Sequence, residues 1–178
     1  MYKELSILSI FFEDPVQQFH IREVARLAKI NHMTARSYLN RFVKDGLLAR
    51  TESKPFTAYR ARQQERKWLN LRLYYNLEKL RESHIIEDME RFYDYPTIVL
   101  FGSYAHATDV KESDIDMCII TPVKKEFSTD KYDKMLKKRI SIHLFTPKKI
   151  SDMKKTNQEL VNSICNGMVL SGQLEIIE

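Results

Sequence analysis

The chain has 178 residues, 43% of them hydrophobic and 30% charged, which is the balance of a soluble globular protein with room for one medium domain or two small ones. No run of about 18 apolar residues occurs, so the sequence predicts no membrane span, and the opening Met-Tyr-Lys-Glu-Leu-Ser reads as a helix start without a signal-peptide plan. The net charge of +5 sits in the first 62 residues, which carry 11 Lys+Arg against 6 Asp+Glu, while the remainder is neutral. That asymmetry fits an acidic partner for the N-terminal part, nucleic acid in the simplest case, or a merely basic domain. Cys118 and Cys165 both fall in apolar segments, so the expectation is two buried free thiols in a reducing cytoplasm rather than a disulfide.

From the start of the chain, Tyr2 to Glu13 places Leu5, Leu8, Phe11 and Phe12 at helical spacing before Asp14-Pro15 stops it. Phe19-His20-Ile21 is a brief extended piece. Ile21 to Lys29 reads as a short helix with Val24, Ala25 and Ala28 on one face, and Lys29 to His32 as a turn. Asn31 is a candidate N-cap for a third helix reaching Asp45, with Ala35, Leu39, Phe42 and Val43 inward and Gly46 as the stop. Leu47 to Arg50 and Ala58 to Arg62 read as two strands around a tip at Thr51 to Thr57.

Helix, helix, turn, helix, hairpin resembles the winged helix-turn-helix fold, and Phe42-Val43-Lys44-Asp45-Gly46-Leu47-Leu48 looks like the usual end of its recognition helix. The resemblance implies double-stranded DNA as a partner, with the third helix in the major groove. Thr34 faces outward with Arg36, Ser37 and Asn40; the last three suit base edges, while Arg41, Lys44, Arg50, Lys54 and Arg60 suit phosphates. The alternative is a winged helix used only for protein contacts.

Gln63 to Tyr93 lacks Gly and Pro and reads as one long helix, or two with a break near Ser83-His84. Its apolar residues, from Trp68 to Leu80, are too many for one narrow stripe. They suggest either a homodimer helix or a helix buried by the chain itself.

Ile98 to Pro122 reads as strand, tight turn, short helix, loop and strand. Ile98 to Phe101 is an apolar strand, and Gly102 suits a sharp turn or a close ligand approach. Ser103 is a candidate cap of a helix start, where free N–H groups suit phosphate. Asp114 and Asp116, two apart at the opening of the next strand, leave the same face. Paired carboxylates on one face are costly without a cation between them, and Mg²⁺ takes such oxygens while leaving room for phosphates.

Gly-Ser, ten residues, then Asp-Ile-Asp resembles the minimal nucleotidyltransferases of the DNA polymerase β superfamily. Ile140 to Pro147 looks like that family's third catalytic-sheet strand, and Asn166 to Gly172 like its closing segment. The resemblance covers about half of the chain, Asp94 to Glu178. It implies transfer of a nucleoside monophosphate from an NTP, expected to be ATP, to a hydroxyl. Gly102 and Ser103 would hold the nucleotide, and Asp114 and Asp116 would hold Mg²⁺ or Mn²⁺. The acceptor implied is a partner protein, a nucleic-acid end or a small molecule. Two positions differ from the family. His106-Ala107 stands where Arg-Gly is usual, and His143 stands where a third Asp is usual. A neutral imidazole prefers softer ions than Mg²⁺ but accepts a proton near neutral pH, so His143 joins Asp114 and Asp116 as a candidate catalytic residue. The alternative is a DNA-binding regulator whose nucleotidyltransferase domain binds nucleotide and transfers little or nothing.

The charged segment after Pro122 carries a helix near Thr129 to Leu136, with Asp130 and Asp133 as candidate extra carboxylates. Lys137, Lys138 and Arg139 suit either a triphosphate or an ordinary solvated helix end. Ser151 to Ile164 reads as the last helix and Met168 to Leu170 as a strand. The whole is an α+β protein: a winged helix at 1–62, a connecting and dimerising helix at 63–93, and a nucleotidyltransferase-type mixed sheet flanked by helices at 94–178.

Overall fold

The helical spacing of the first residues becomes α1 (Lys3–Glu13) in the computed structural model, which describes residues 3–53 and 56–175. Ile7, Leu8, Phe11 and Phe12 of α1 are buried. β1 (Phe19–His20) leads directly into α2 (Ile21–Leu27), whose first turn is closed by the Glu23 carboxylate accepting from the His20 N–H at 2.8 Å. α3 (His32–Lys44) starts where Asn31 Oδ1 accepts from the Thr34 N–H at 2.7 Å, and it stops before Gly46, which has φ +76.

β2 (Leu48–Ser53) and β3 (Phe56–Ala61) pair antiparallel, and β1 joins β3 on its other side, giving the order β1-β3-β2. The paired strands reach further toward the tip than the sequence predicted, with Thr51 against Ala58 and Glu52 against Thr57. Ladder hydrogen bonds extend regular pairing through polar residues that carry no apolar signal. Phe11, Phe19, Phe12 and Trp68 meet ring to ring in the core of this unit, with Phe12 and Trp68 centroids 4.7 Å apart.

The chain forms two compact units, Met1–Tyr75 and Asn76–Glu178, and the boundary falls inside α4 (Arg66–Ser83). The early part of α4 gives Trp68 and Tyr75 to the first core, and its end gives Leu80 to the second. Much of the surplus of apolar residues on this helix is thus consumed along its length within one chain. His84, at φ +60, ends α4 and admits α5 (Ile85–Phe92).

In the second unit β4 (Thr97–Phe101) runs into α6 (Gly102–Ala105), followed by β5 (Ile115–Ile120), α7 (Asp130–Leu136), β6 (Ile140–Phe145), α8 (Pro147–Thr156), α9 (Gln158–Cys165) and β7 (Met168–Ser171). The sheet order is β6-β5-β4-β7; β4 is antiparallel to β5 and β7, and β5 is parallel to β6. Strand alternation sorts the side chains onto two faces. Ile98, Leu100, Ile115, Met117 and Ile119 face α5 and α7, while Val99, Phe101, Cys118 and Phe145 face Ile150 of α8 and Ile164 of α9.

The expected single helix Ser151 to Ile164 is two. Thr146 caps α8 by accepting from the Lys149 N–H, with Pro147 in the first turn, and Asn157 caps α9 by accepting from the Leu160 N–H. Cys118 is buried, but Cys165 is exposed, which corrects the expectation of two buried thiols. It is the last residue of α9, directly after the buried Ile164. Among the described residues, no helix is long and apolar enough to cross a membrane.

Candidate functional site

The chemistry-bearing residues of the second unit meet at one end of the sheet, on the face shared with α8 and α9. Phe101 pairs with Asp116 across β4 and β5, which brings the β4 exit beside the β5 entry. Gly102 turns there at φ +72, and a Cβ on it would stand 2.5 Å from Asp116 Oδ2. Only a residue without a side chain allows the turn and the carboxylate to approach so closely. Ser103 is not the cap of α6. The N-cap is Phe101, and no side chain caps the turn, so Ser103 is the second helical residue. α6 thus begins two residues earlier than the sequence predicted. The first N–H groups of any helix have no partner within it, and α6 begins at Gly102, which stands beside Asp116.

The parallel register sets Asp116 against Ser141 and Cys118 against His143. His143 therefore lies on the Asp116 face, as the strand alternation required. Its Nε2 is 3.7 Å from Asp116 Oδ1 and 3.3 Å from Ser141 Oγ, and its ring meets Phe101 edge-on at 5.2 Å. About a third of each side chain of this pair is accessible: 32% for His143 and 29% for Asp116. Asp114 is half-buried just before β5. Cys118 lies deeper on the same face, and burial pushes its thiol up to about 12. A thiol held protonated in this way offers no nucleophile.

Asp130 and Asp133 do not supplement this set. α7 packs on the opposite face through Tyr132 and Leu136, Asp130 accepts from Ser128 Oγ, and Asp133 accepts from Thr129 Oγ1 and the Ile140 N–H. Lys138 is not a free phosphate ligand either: its ammonium is turned inward on Asp109. Lys137 and Arg139 remain exposed. A groove of about 340 Å³ between Tyr93, Phe127, Ile142 and Leu144 lies on the α7 side, away from the aspartates.

Among the described residues, no group of three or more His, Cys, Asp or Glu side chains converges as a metal cluster. The donor chemistry still suits a hard cation in part. Asp116 stands against the Gly102 turn and Asp114 lies two residues before Asp116, and Mg²⁺ takes one or two protein carboxylates with the rest of its shell from water and phosphate.

In the first unit, α3 buries Ala35, Leu39 and Phe42 and exposes Arg36, Ser37, Asn40, Arg41 and Lys44; Thr34 is half-buried. Arg41 is already engaged, by Glu4 at 2.7 Å and Asp45 at 3.9 Å. Asn40 Oδ1 accepts from the Tyr59 hydroxyl at 3.4 Å. Arg50 and Arg60 are exposed on the hairpin, and Arg60 borders a groove of about 550 Å³ with Arg62 and Gln63. Lys54 lies outside the described residues.

A mixed sheet carrying a Gly-Ser turn at one strand end and two aspartates at the opening of the next is a nucleotidyltransferase-type α+β arrangement. Residues 83–175, just over half of the chain, match the family model described as Polymerase beta, Nucleotidyltransferase, and the chain belongs to that family. No curated protein matches the chain. Among solved structures, Sso10a-2, a DNA-binding protein from Sulfolobus solfataricus, is similar at 22% identity and a TM-score of 0.36, over 53% of this chain and 94% of its own.

Proposed function

We propose that the second unit binds an NTP, ATP being the expected one, in a Mg²⁺- or Mn²⁺-dependent way and transfers its nucleoside monophosphate slowly to a hydroxyl, the α–β phosphoanhydride bond breaking and pyrophosphate leaving. We further propose that the first unit is a winged helix that binds double-stranded DNA. The observation that carries the first reading is the apposition of Gly102 and Asp116 on the face that also holds His143. Backbone N–H groups of Gly102 and Ser103 would hold phosphate oxygens, with the Ser103 hydroxyl as a further donor. Asp114 and Asp116 would hold the cation, which supplies charge neutralisation on the triphosphate. His143 would accept the proton of the attacking hydroxyl, held in place by Ser141 and the Phe101 ring. An acceptor on a partner protein, a nucleic-acid end and a small molecule all fit a site of this openness.

Calorimetry with ATP tests the reading. Affinity should rise with Mg²⁺ in the unmutated chain, and Asp114→Asn with Asp116→Asn should abolish that rise. Equal ATP binding with and without Mg²⁺ would sink it.

The rival reading is a DNA-binding regulator with a nucleotide-binding but inactive second unit. His143 beside Asp116, where the family resemblance implies a carboxylate, is the observation that favours it. The exposed Arg36, Ser37 and Lys44 of α3 and the net positive charge of residues 1–62 support DNA binding in either case. A homodimer acting on two half-sites and a cytoplasmic setting complete the proposal.

A further inference from the structure

We propose that Lys138, Asp109 and Asn76 form a buried polar clamp that holds the α6 turn and the loop entering Asp114 in their mutual position, which makes Lys138 and Asp109 positioning residues of the nucleotide site. The role in binding rests on the reading of that site given above; the clamp itself does not.

The clamp is a continuous run of polar contacts. Lys138 Nζ lies 3.2 Å from Asp109 Oδ2, and it also donates to the carbonyls of Val110 at 2.5 Å, Lys111 at 3.3 Å and Ser113 at 3.3 Å. An ammonium has three protons, so four acceptors saturate it. The loop from 109 to 113 is wrapped around this one cation, as a backbone loop wraps a bound metal ion. The same loop is closed by the Val110 N–H donating to Ser113 Oγ at 2.9 Å.

On the other side, Asp109 Oδ1 accepts from Asn76 Nδ2 at 3.2 Å. Asn76 Nδ2 also donates to the Tyr104 carbonyl of α6 at 3.1 Å, and the Tyr104 hydroxyl donates to the Asn76 carbonyl at 3.3 Å. The path therefore runs from α6, which carries Ser103, through Asn76, Asp109 and Lys138 to Ser113, the residue before Asp114. Arg139, next to Lys138, adds a backbone bond from the Ile115 N–H at 2.8 Å.

Burial makes the arrangement demanding. The Lys138 side chain is 9% exposed and that of Asp109 2%. A buried ion pair contributes little net stability over apolar residues of the same shape, whereas a saturated polar network is directional and tolerates one geometry. The irregular stretch between α6 and β5 would otherwise be a surface loop with the mobility such segments have. The clamp holds it, and with it the spacing between the phosphate-side turn and the aspartates.

The test uses the full chain with two variants, Lys138→Met and the pair Asp109→Asn with Lys138→Met. The pair leaves no lone buried charge, so it should be destabilised less than Lys138→Met alone. Amide hydrogen exchange should rise about tenfold or more over residues 102–105 and 107–114 in the paired variant, while β4, β5 and α3 keep their protection. ATP affinity in the presence of Mg²⁺ should fall about 10–100-fold, the usual effect of removing the groups that orient metal ligands, with Mg²⁺-free binding unchanged. Unchanged exchange over 102–114 overturns the clamp. Raised exchange with unchanged Mg²⁺-dependent affinity overturns the positioning role. If the unmutated chain shows no Mg²⁺-dependent ATP binding, the proposed function and the positioning role both fail, and the exchange result still decides whether the clamp exists.

Discussion

Gly102 and Asp116 stand against each other where β4 ends and β5 begins, so closely that a Cβ on Gly102 would lie 2.5 Å from Asp116 Oδ2. Gly102 also has φ +72, a conformation that costs an L-residue about 1–2 kcal/mol. Gly102→Ala should therefore lower stability by about that amount or more, and displace the Asp116 carboxylate. Thermal unfolding should show a midpoint several degrees lower, and calorimetry a weakened Mg²⁺-dependent ATP affinity. A midpoint and affinity equal to those of the unmutated chain would mean that the turn does not shape the site.

His143 decides between the two functional readings. Its Nε2 lies 3.7 Å from Asp116 Oδ1, and it stands where the family resemblance implies a third carboxylate. His143→Asp should raise transfer of labelled AMP to an acceptor, because three carboxylates hold hard cations better than two and an imidazole. His143→Ala should slow transfer further, because the group that accepts the hydroxyl proton is gone. Robust transfer by the unmutated chain, lost by about 10²–10⁴-fold in both variants, would overturn the slow-transfer reading and make His143 an efficient general base. Equal activity in all three chains would remove it from the site.

Arg36 and Arg41 of α3 should behave differently on DNA, although both are exposed. Arg41 is held by Glu4 and Asp45, so Arg41→Ala should weaken DNA binding less than Arg36→Ala, and as a surface pair it should cost at most about 1 kcal/mol of stability. Arg36→Ala should relax sequence choice at about 1–3 kcal/mol, whereas Arg60→Ala should weaken all duplexes alike and reduce the salt slope by about 1. Titration of duplexes at several salt concentrations measures all three. Failure of the unmutated chain to bind any duplex in a random-sequence selection at low salt would make the first unit a protein-contact module.

The two thiols should separate cleanly. At pH 8 a thiol reagent should label Cys165, which is exposed, and leave Cys118 unlabelled until the protein is denatured. Burial raises the Cys118 thiol from 9.0 to about 12. A raised folded-state value means that its contribution is fully present below pH 9 and is lost as pH rises toward 12, because only the unfolded thiol ionises in that window. Denaturant midpoints should fall across pH 9–11 in the unmutated chain and fall less in Cys118→Ala. Fast native labelling of both thiols would contradict the burial of β5.

Where signals were local, they were legible in the residues themselves. Asn31 caps α3 and Gly46 follows it because a cap and a stop act within a few residues of backbone. Gly102 and Asp116 are close in the chain, and their apposition followed from the two strands that flank them. The extent of the hairpin and the split at Asn157 were not legible. Ladder pairing acts on polar residues that show no hydrophobic period, and the Asn157 cap falls inside one continuous run that reads as a single helix.

Sequence alone determined which residue types could do chemistry here: a turn glycine, two aspartates two apart and an imidazole three strands into the unit. Only the tertiary structure decided which of the remaining charged residues are available. Lys138 read as one of three similar basic residues, yet its carbonyl partners lie 25 to 28 residues earlier in the chain, and nothing local to Lys138 announces them. Asp133 read as a spare carboxylate, yet its oxygen is taken by the Ile140 N–H across a turn. The physical reason is the same in both cases. A charge in an isolated segment is satisfied by water, and burial replaces that water with whichever backbone groups the fold brings within hydrogen-bonding distance.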